Sequence, residues 1–575
     1  MTEEFLLEEF LEKEKELGLN DVQYMQMPLW RLFRVSYREK YIKKYLVDYS
    51  AQSAQRETLI WLAYSAMYFI SSAFQLVKSL IAKKHYNNIV FAFPRLQKLN
   101  ENLYIDKFTD PVIDATHIKE SVCVFQFINR KIYKGKRWKE DRVIRMEFIV
   151  FFSAFVALLL WPIIAFSARK EIKRLYDKVC CIFHLGTIEY VRWCIKFSFF
   201  KCEVGLYCFL FKKMRCQNVY VVNRMVCLPQ IIAAHQCGLM VLEFQHGITM
   251  GVTTLYAGQY DAVADPDYFL VFSEFWRGNQ FAISQDRITN IGWAYKNIIN
   301  KLPMKEVVHE NTCLVISSPE ISSKLVETVL LLAHEYSQFR FHIRCHPQES
   351  ISINILKKIK RVSNVEIVDN NVDSFMALKR YLYVVGVNSS VLFEALSMGK
   401  IVARLNFNGF CPIPTHIEED GFYYVSCLVD FQKFINSKNN GSPSGFYNDF
   451  NPNFYLLIMK YLIIVGAGGM GRTMFDMARE SCGYETEFVI KGFIDDNITA
   501  LNDFMNYPPI IDTITDYIPC KEDVFICSIG GEFRKWGMSK IINRGGEFIS
   551  LIHKTARIGS NVIMGKGNMV GAFTT

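Results

Sequence analysis

The sequence predicts an α/β protein built from several parallel sheets, and three observations carry that prediction. From Asn218 onward, short apolar runs alternate with helical segments, the pattern of strands covered on both faces by crossover helices. Tyr461 to Val465 is a further run of this kind, and it opens directly into Gly466, Gly468, Gly469 and Gly471, a glycine-rich strand-to-helix turn. Near the C-terminus Ile558, Met564 and Val570 recur every six residues, each followed by a glycine. That is the period of a left-handed parallel β-helix.

A chain of 575 residues exceeds what one core supports and points to two to four domains. Its net charge of +9 is modest, and with no compact basic motif it makes no case for nucleic acid. The sixteen cysteines are scattered without a CxxC pair. Neither a zinc site nor a disulfide framework is expected, and a reducing cytoplasm is.

Residues 1–87 read as a helical region, in which the apolar stretch Leu59 to Ala82, broken by Gln75 and Lys78, reads as a core helix. Residues 88–300 form the first α/β half. It starts with a strand at Asn88 to Phe93, and the polar segment Tyr104 to Pro111 reads as a surface loop. The basic run Arg130 to Arg145, with Tyr133 and Trp138 interleaved, reads first as a solvated face, with docking to anionic lipid as the alternative. Phe148 to Ala168 carries no charge and has basic flanks on both sides. Its length suits a bilayer-spanning helix, a membrane-surface or re-entrant segment, or a buried helix, and Pro162 would kink it.

Strands follow at Val219 to Val222, Met240 to Phe244, Asp267 to Phe272 and Ile288 to Gly292. The second of these runs into Gln245-His246-Gly247, where open α/β sheets place their ligands. The second half, residues 301–436, has strands at Leu314 to Ser318, Phe339 to Arg344, Val365 to Val368 and Tyr383 to Gly386. Two of them end in His346-Pro347 and in Asn388-Ser389-Ser390, the latter followed by a helix that carries Glu394. Hydroxyls and free N–H groups at a helix start suit a phosphate, and His246 suits proton transfer or leaving-group stabilisation. Each feature has a plainer reading: a turn histidine, an N-cap serine pair, a capping carboxylate.

Taken together, the Gln-His-Gly and His-Pro strand ends and Gly386-x-Asn-Ser-Ser with Glu394-Ala-Leu-Ser-Met-Gly399 resemble the bacterial GT-B transferases of surface-polysaccharide synthesis. These include capsule-type glycosyltransferases, His-Pro-motif sialyltransferases and CDP-glycerol glycerophosphotransferases. The resemblance implies two Rossmann-like halves around a cleft, with His246 and Glu394 as catalytic candidates. It places Gly247, His346, Pro347, Asn388, Ser389 and Ser390 on the nucleotide donor. It also implies metal independence, since the Asp265-Pro-Asp267 pair precedes a strand instead of ending one.

Residues 437–458 read as a linker by composition. After it, residues 459–550 form a third α/β unit and residues 551–575 the hexapeptide segment. The glycine turn, Gly492-Phe-Ile-Asp-Asp-Asn497, Leu551-Ile-His553 and the hexads resemble, in that order, the sugar acetyltransferases of the sialic-acid and bacillosamine type. The resemblance implies a nucleotide-sugar site at Gly466, Gly468, Gly469, Gly471, Asp495 and Asp496. It also implies an acetyl-CoA site and catalytic histidine in later coils, so a β-helix that stops about one coil in is expected to lack both, and His553 is not a substitute. The remaining expectations are a nucleotide-sugar or CDP-polyol donor, a glycan or lipid-linked acceptor, and no required cofactor, metal or nucleic acid. The setting expected is cytoplasmic, with membrane-surface contact through residues 130–178.

Overall fold

The computed structural model describes residues 3–45, 58–82, 84–100, 102–127, 135–247, 249, 256–277, 281–301, 309–317, 322–346, 349, 353–369, 373–387, 389–406, 421–437, 445–454, 459–484, 488–520, 522–559, 562 and 564–574. The chain divides into two compact units, Met1–Pro452 and Asn453–Thr575. The first contains two doubly wound, Rossmann-like halves. The second is a small Rossmann-like unit with a short parallel coil at its end.

The first half is a seven-stranded, all-parallel sheet. Its strands are β1 (Asn88–Phe91), β2 (Val122–Gln126), β3 (Val143–Arg145), β4 (Asn218–Val221), β5 (Met240–Phe244), β6 (Tyr268–Val271) and β7 (Ile288–Asn290), in the order β7-β6-β5-β4-β1-β2-β3. The chain winds outward from β1 to one edge, returns to the centre through the helices Glu147–Ser167, Arg169–Cys180 and Thr187–Met214, and then winds to the other edge. The direction of winding therefore reverses between β1 and β4, and such a reversal opens a crevice at the strand C-termini.

The helices Glu3–Glu16 and Leu29–Tyr45 are not a separate domain. Phe10, Trp30 and Tyr37 belong to the same buried core as Ile89 and Phe91 of β1 and Trp193 of Thr187–Met214, and Phe33 stacks on Trp193 at 3.9 Å. Their polar side is tied down as well, by Arg34 to Glu14 at 2.7 Å and Arg31 to Asp265 at 2.8 Å.

The second half is a six-stranded parallel sheet of β8 (His309–Ile316), β9 (Arg340–Arg344), β10 (Val365–Val368), β11 (Tyr381–Gly386), β12 (Ile401–Leu405) and β13 (Tyr423–Val425), ordered β10-β9-β8-β11-β12-β13. This is the doubly wound order of dinucleotide-binding sheets, with its reversal between β8 and β11.

Four sequence expectations change here. The segment 104–111 is not a surface loop: Asp106, Thr109 and Asp110 are fully buried, and a helix starts at Asp110. The basic run is not simply a solvated face, because Arg137 and Arg142 both pair with the buried Asp110 and Arg142 also reaches Asp114 at 2.6 Å. Residues 445–451 of the expected linker are packed against the first half. Phe446 is fully buried, Asn448 N donates to Phe272 O (3.1 Å), and Asn451 N donates to Ile291 O (2.9 Å). Finally, the helix Thr58–Ile81 is only partly a core helix. It buries Ser72, Leu76 and Ser79 but leaves Ile70 69% and Phe74 70% exposed.

The second unit has β14 (Lys460–Val465), β15 (Phe488–Ile494), β16 (Ile510–Asp512), β17 (Asp523–Cys527) and β18 (Glu547–Phe548) in the parallel order β16-β15-β14-β17-β18. The chain then passes through β19 (Leu551–Ile552), which pairs in parallel with β20 (Met569–Val570), Leu551 opposite Met569. The chain thus lies back on itself between Leu551 and Met569. Ile558 is 41% and Met564 38% exposed on this coil.

Candidate functional site

The site of the first half stands at the C-terminal ends of β1, β4 and β5, beside the reversal of winding. Strand β5 is followed by Gln245, whose fully buried side chain fixes the turn. Its Nε2 donates to Gly247 O (2.8 Å), and its Oε1 accepts from Phe272 N (2.9 Å) next to β6. This holds His246 over the end of the sheet. The imidazole lies 5.5 Å from the Phe93 ring and 6.4 Å from the Phe108 ring, and its Nε2 is 3.2 Å from Asn223 Nδ2.

The Asn223 amide is oriented independently, because Met225 N and Val226 N donate to its Oδ1 at 3.0 and 3.2 Å. Its Nδ2–H therefore points at His246 Nε2, and the proton of the neutral ring is assigned to Nδ1. Burial between the two phenyl rings, with the Arg224 guanidinium nearby, pushes the imidazole pKa down to about 4. At neutral pH the ring is an uncharged base with its lone pair on Nε2. Arg224 is itself neutralised from behind, by Glu243 at 2.6 Å and Asp265 at 3.4 Å.

The aromatic walls have a common anchor in Asp106. Its Oδ2 accepts from Phe93 N (2.9 Å) and Thr109 Oγ1 (2.7 Å), and its Oδ1 from Phe108 N (3.0 Å). Burial, reinforced by the neighbouring Asp110, raises its pKa to about 6. Between the two residues, Lys107 reaches the other half: its Nζ lies 3.1 Å from Glu394 Oε1, and Ser374 Oγ donates to Glu394 Oε2 at 2.7 Å. Aromatic contacts close the same seam, Trp276 on Phe393 at 5.1 Å and Trp293 on Phe375 at 4.7 Å. The C-terminal strand ends of the two sheets therefore face each other within this unit.

On the second half, Ser317 follows β8 and Ser389 follows β11, the two strands at the reversal of that sheet, and His346 follows the neighbouring β9. Glu349 ties two of them together, accepting from His346 N and from Ser317 Oγ, each at 2.8 Å. Ser389 is the N-cap of the helix Ser390–Ser397, its Oγ accepting from Val391 N at 3.3 Å. Ser390 is half-buried at the first position of that helix. Pro347 and Asn388 lie outside the described residues.

The second unit has a different kind of site. A Cβ on Gly471 would lie 2.1 Å from Gly466 O, whereas one on Gly468 would meet nothing within 4 Å. One glycine thus lets the helix Gly469–Glu480 pack against the turn, and the other leaves open space above it. Asp495 Oδ2 accepts from Ala467 N at 2.7 Å and its Oδ1 from Asn497 N at 2.8 Å, while Asp496 Oδ1 accepts from Thr515 N at 3.2 Å. Asp495 braces the glycine turn, and Asp496 holds the segment after β16.

Residues 461–540 match the PglD N-terminal domain. A second match, 32% identical over 117 residues, is to the uncharacterized protein L142 of Acanthamoeba polyphaga mimivirus. It takes in 20% of this chain and 22% of that protein's length. Among solved structures the chain is similar to UDP-GlcNAc 2-epimerase from Methanocaldococcus jannaschii, at 13% identity and a TM-score of 0.36, over 62% of this chain and 96% of that one. It is also similar to S. aureus MnaA solved with UDP (9%, TM-score 0.38, 64% and 93%). A third is the wall teichoic acid polymerase TagF (11%, TM-score 0.33, 64% and 87%).

The structure thus sets His246 and Gly247 at one strand end and His346, Ser389 and Ser390 at the facing sheet's strand ends. Glu394, a catalytic candidate from sequence, has two partners inside the protein. Its carboxylate is 2% exposed and held between Lys107 and Ser374, the geometry of a bridge between the halves. The Asp265-Pro-Asp267 pair is likewise committed to the protein, Asp265 to Arg31 and Arg224 and Asp267 to His235 and Val241 N. Asn223, Asp106, Lys107, Ser317 and Glu349 were not singled out from sequence. Each follows a strand or begins a short turn, and none carries a motif; the one signal available was position just past an apolar run.

Proposed function

We propose that the Met1–Pro452 unit is a metal-independent transferase of surface-polysaccharide assembly, moving a sugar or polyol-phosphate from a nucleotide donor to a glycan acceptor. The observation that carries the reading is His246: an uncharged imidazole with its basic nitrogen held by Asn223, on a strand end that faces a second doubly wound sheet. An acceptor hydroxyl that displaces the Asn223 amide would give its proton to Nε2 as its oxygen attacks the donor, and the nucleotide would leave with the bonding electron pair. Ser389, Ser390 and the N–H groups of their helix start supply hydrogen bonds to the departing phosphates. The His346–Glu349–Ser317 turn is the counterpart that would seat the nucleotide.

The test is release of free nucleotide from a panel of UDP-sugars and CDP-polyols by the full chain. His246→Asn is expected to lower turnover by roughly 10²–10⁴-fold with an unchanged far-UV spectrum. Equal turnover in the variant removes the assignment.

A second reading applies to the Asn453–Thr575 unit and is favoured by the match of residues 461–540. We infer that the open space over Gly468 holds a nucleotide-sugar. Use of this turn for NAD is less well supported, since both oxygens of Asp495, the residue that would reach a ribose, already accept backbone N–H groups. Calorimetry with UDP-sugars against NAD separates the two ligands.

A further inference from the structure

Two helices of the first unit leave an apolar face uncovered. In Glu147–Ser167 the inward stripe is Ile149, Ser153, Ala157 and Ala165, whereas Phe155, Leu158, Leu159, Ile163 and Phe166 are each at least 60% exposed. On Thr58–Ile81 the residues Met67, Ile70, Phe74, Val77 and Ile81 fall at helical spacing and are 49–76% exposed. The two helices meet at Phe148, which stacks on Phe152 at 5.4 Å and lies 5.2 Å from Phe69, with its backbone N–H donated to Ser72 Oγ. So large a continuous apolar surface marks an interaction site.

Charge identifies the partner. Directly after Glu147–Ser167 come exposed Arg169, Lys170, Lys173 and Arg174, against the carboxylates Glu171 and Asp177, the latter paired with Lys173. The Arg169 guanidinium lies 3.9 Å over the Phe166 ring, as a cation does when its stem lies on apolar surface and its head reaches toward an anion. Lys78 and Lys84 are exposed at the end of the other helix.

By length and composition Glu147–Ser167 is long enough to cross a bilayer, but its surroundings argue for a flat position. Its inner face packs along Thr187–Met214, which carries Glu189, Arg192, Lys196, Lys201, Glu203, Lys212 and Lys213, charges too costly to carry into hydrocarbon. The chain also enters it from β3 and comes back to the same sheet at β4 after the helices Arg169–Cys180 and Thr187–Met214.

We propose that this two-helix face seats the protein on the surface of an anionic phospholipid bilayer. Glu147–Ser167 lies in the interface plane, its exposed phenyl and leucine side chains enter the acyl boundary, and Arg169 to Arg174 rest on lipid phosphates. The inference is independent of the donor chemistry.

The test is flotation of the full chain with vesicles of phosphatidylcholine alone and of phosphatidylcholine mixed with phosphatidylglycerol. Binding is expected on the mixed vesicles and falls with salt. It is weakened roughly tenfold or more by Arg169→Glu with Lys170→Glu, and lost in Phe155→Asp with Leu159→Asp. Because these side chains point to solvent, far-UV spectrum and nucleotide release in detergent stay as in the parent. Spin labels walked from 152 to 166 are expected to show shallow immersion that oscillates with the helical period. Three outcomes overturn the proposal: absence of flotation with the mixed vesicles, a single deep maximum near Leu158, and a lipid-free self-association that the Phe155→Asp, Leu159→Asp chain lacks.

Discussion

At the scale of single residues, His246 and Asp106 show how one pocket shifts two groups in ways that act oppositely on stability. Burial holds the His246 imidazole at about 4, below its usual 6.5. The neutral ring therefore contributes stability that is present above about pH 6.5 and is lost as pH falls toward 4. If Nε2 is the base, nucleotide release stays flat down to about pH 5 and declines only as pH approaches 4, whereas an ordinary histidine would lose activity near 6.5. A pH–rate profile reads this directly, and His246→Gln should flatten the acid limb of the urea-unfolding midpoint. Asp106, raised to about 6 from the usual 3.8, runs the other way. Its protonated form is favoured in the fold, so its contribution is full below about pH 3.8 and lost as pH rises through about 6.

At the scale of elements, the short loop from Asp106 to Phe108 connects three structures. Asp106 pins both aromatic walls, Lys107 crosses to Glu394, and Phe108 faces His246. Asp106→Ala leaves the buried N–H groups of Phe93 and Phe108 without their acceptor. It is expected to cost about 2–4 kcal/mol at neutral pH, measured by urea denaturation, and to lower turnover through lost placement of His246. Lys107→Met strands a buried carboxylate and is expected to cost about 3–5 kcal/mol, with most of the loss recovered when Glu394→Gln is added. A double-mutant cycle in urea reads that coupling. This loop was legible in sequence only as polar. An isolated chain of Asp, Lys and Thr residues looks solvated, and its burial follows from Arg137 and Arg142, far along the chain, turning inward to Asp110.

At the scale of the whole molecule, two compact units carry two candidate sites of different design. In the second, Gly471→Ala is expected to destabilise the Asn453–Thr575 unit, since its Cβ would run into Gly466 O. Gly468→Val sits in open space and is expected to remove UDP-sugar binding without changing thermal unfolding. Calorimetry and differential scanning on the two variants give opposite patterns if the turn is a ligand site. Neither variant should affect nucleotide release at His246, which measures the independence of the units.

The alternation of strands and helices from Asn218, the glycine turn at Gly466 to Gly471 and the strand end at His246 were all readable from sequence, because each depends on local periodicity or on glycine at a fixed spacing. The strands and helices read there agree with the structure to within a few residues apart from β8, which begins at His309, while β12 and β13 were not read at all. What required tertiary structure is the fate of charges and aromatics whose partners are distant in the chain. Arg137 and Arg142 are buried ion-pair partners and not a solvated face. Phe446 returns to Phe275 and Ser273 of the first half instead of forming a linker. Glu394 became a bridge only when the fold brought Lys107 to it. Likewise, hydrophobicity identified Phe148 to Ala168 as an unusual helix, but only the packing shows which of its faces is covered. Periodicity is a property of neighbours in sequence, whereas burial, pairing and pKa belong to neighbours in space.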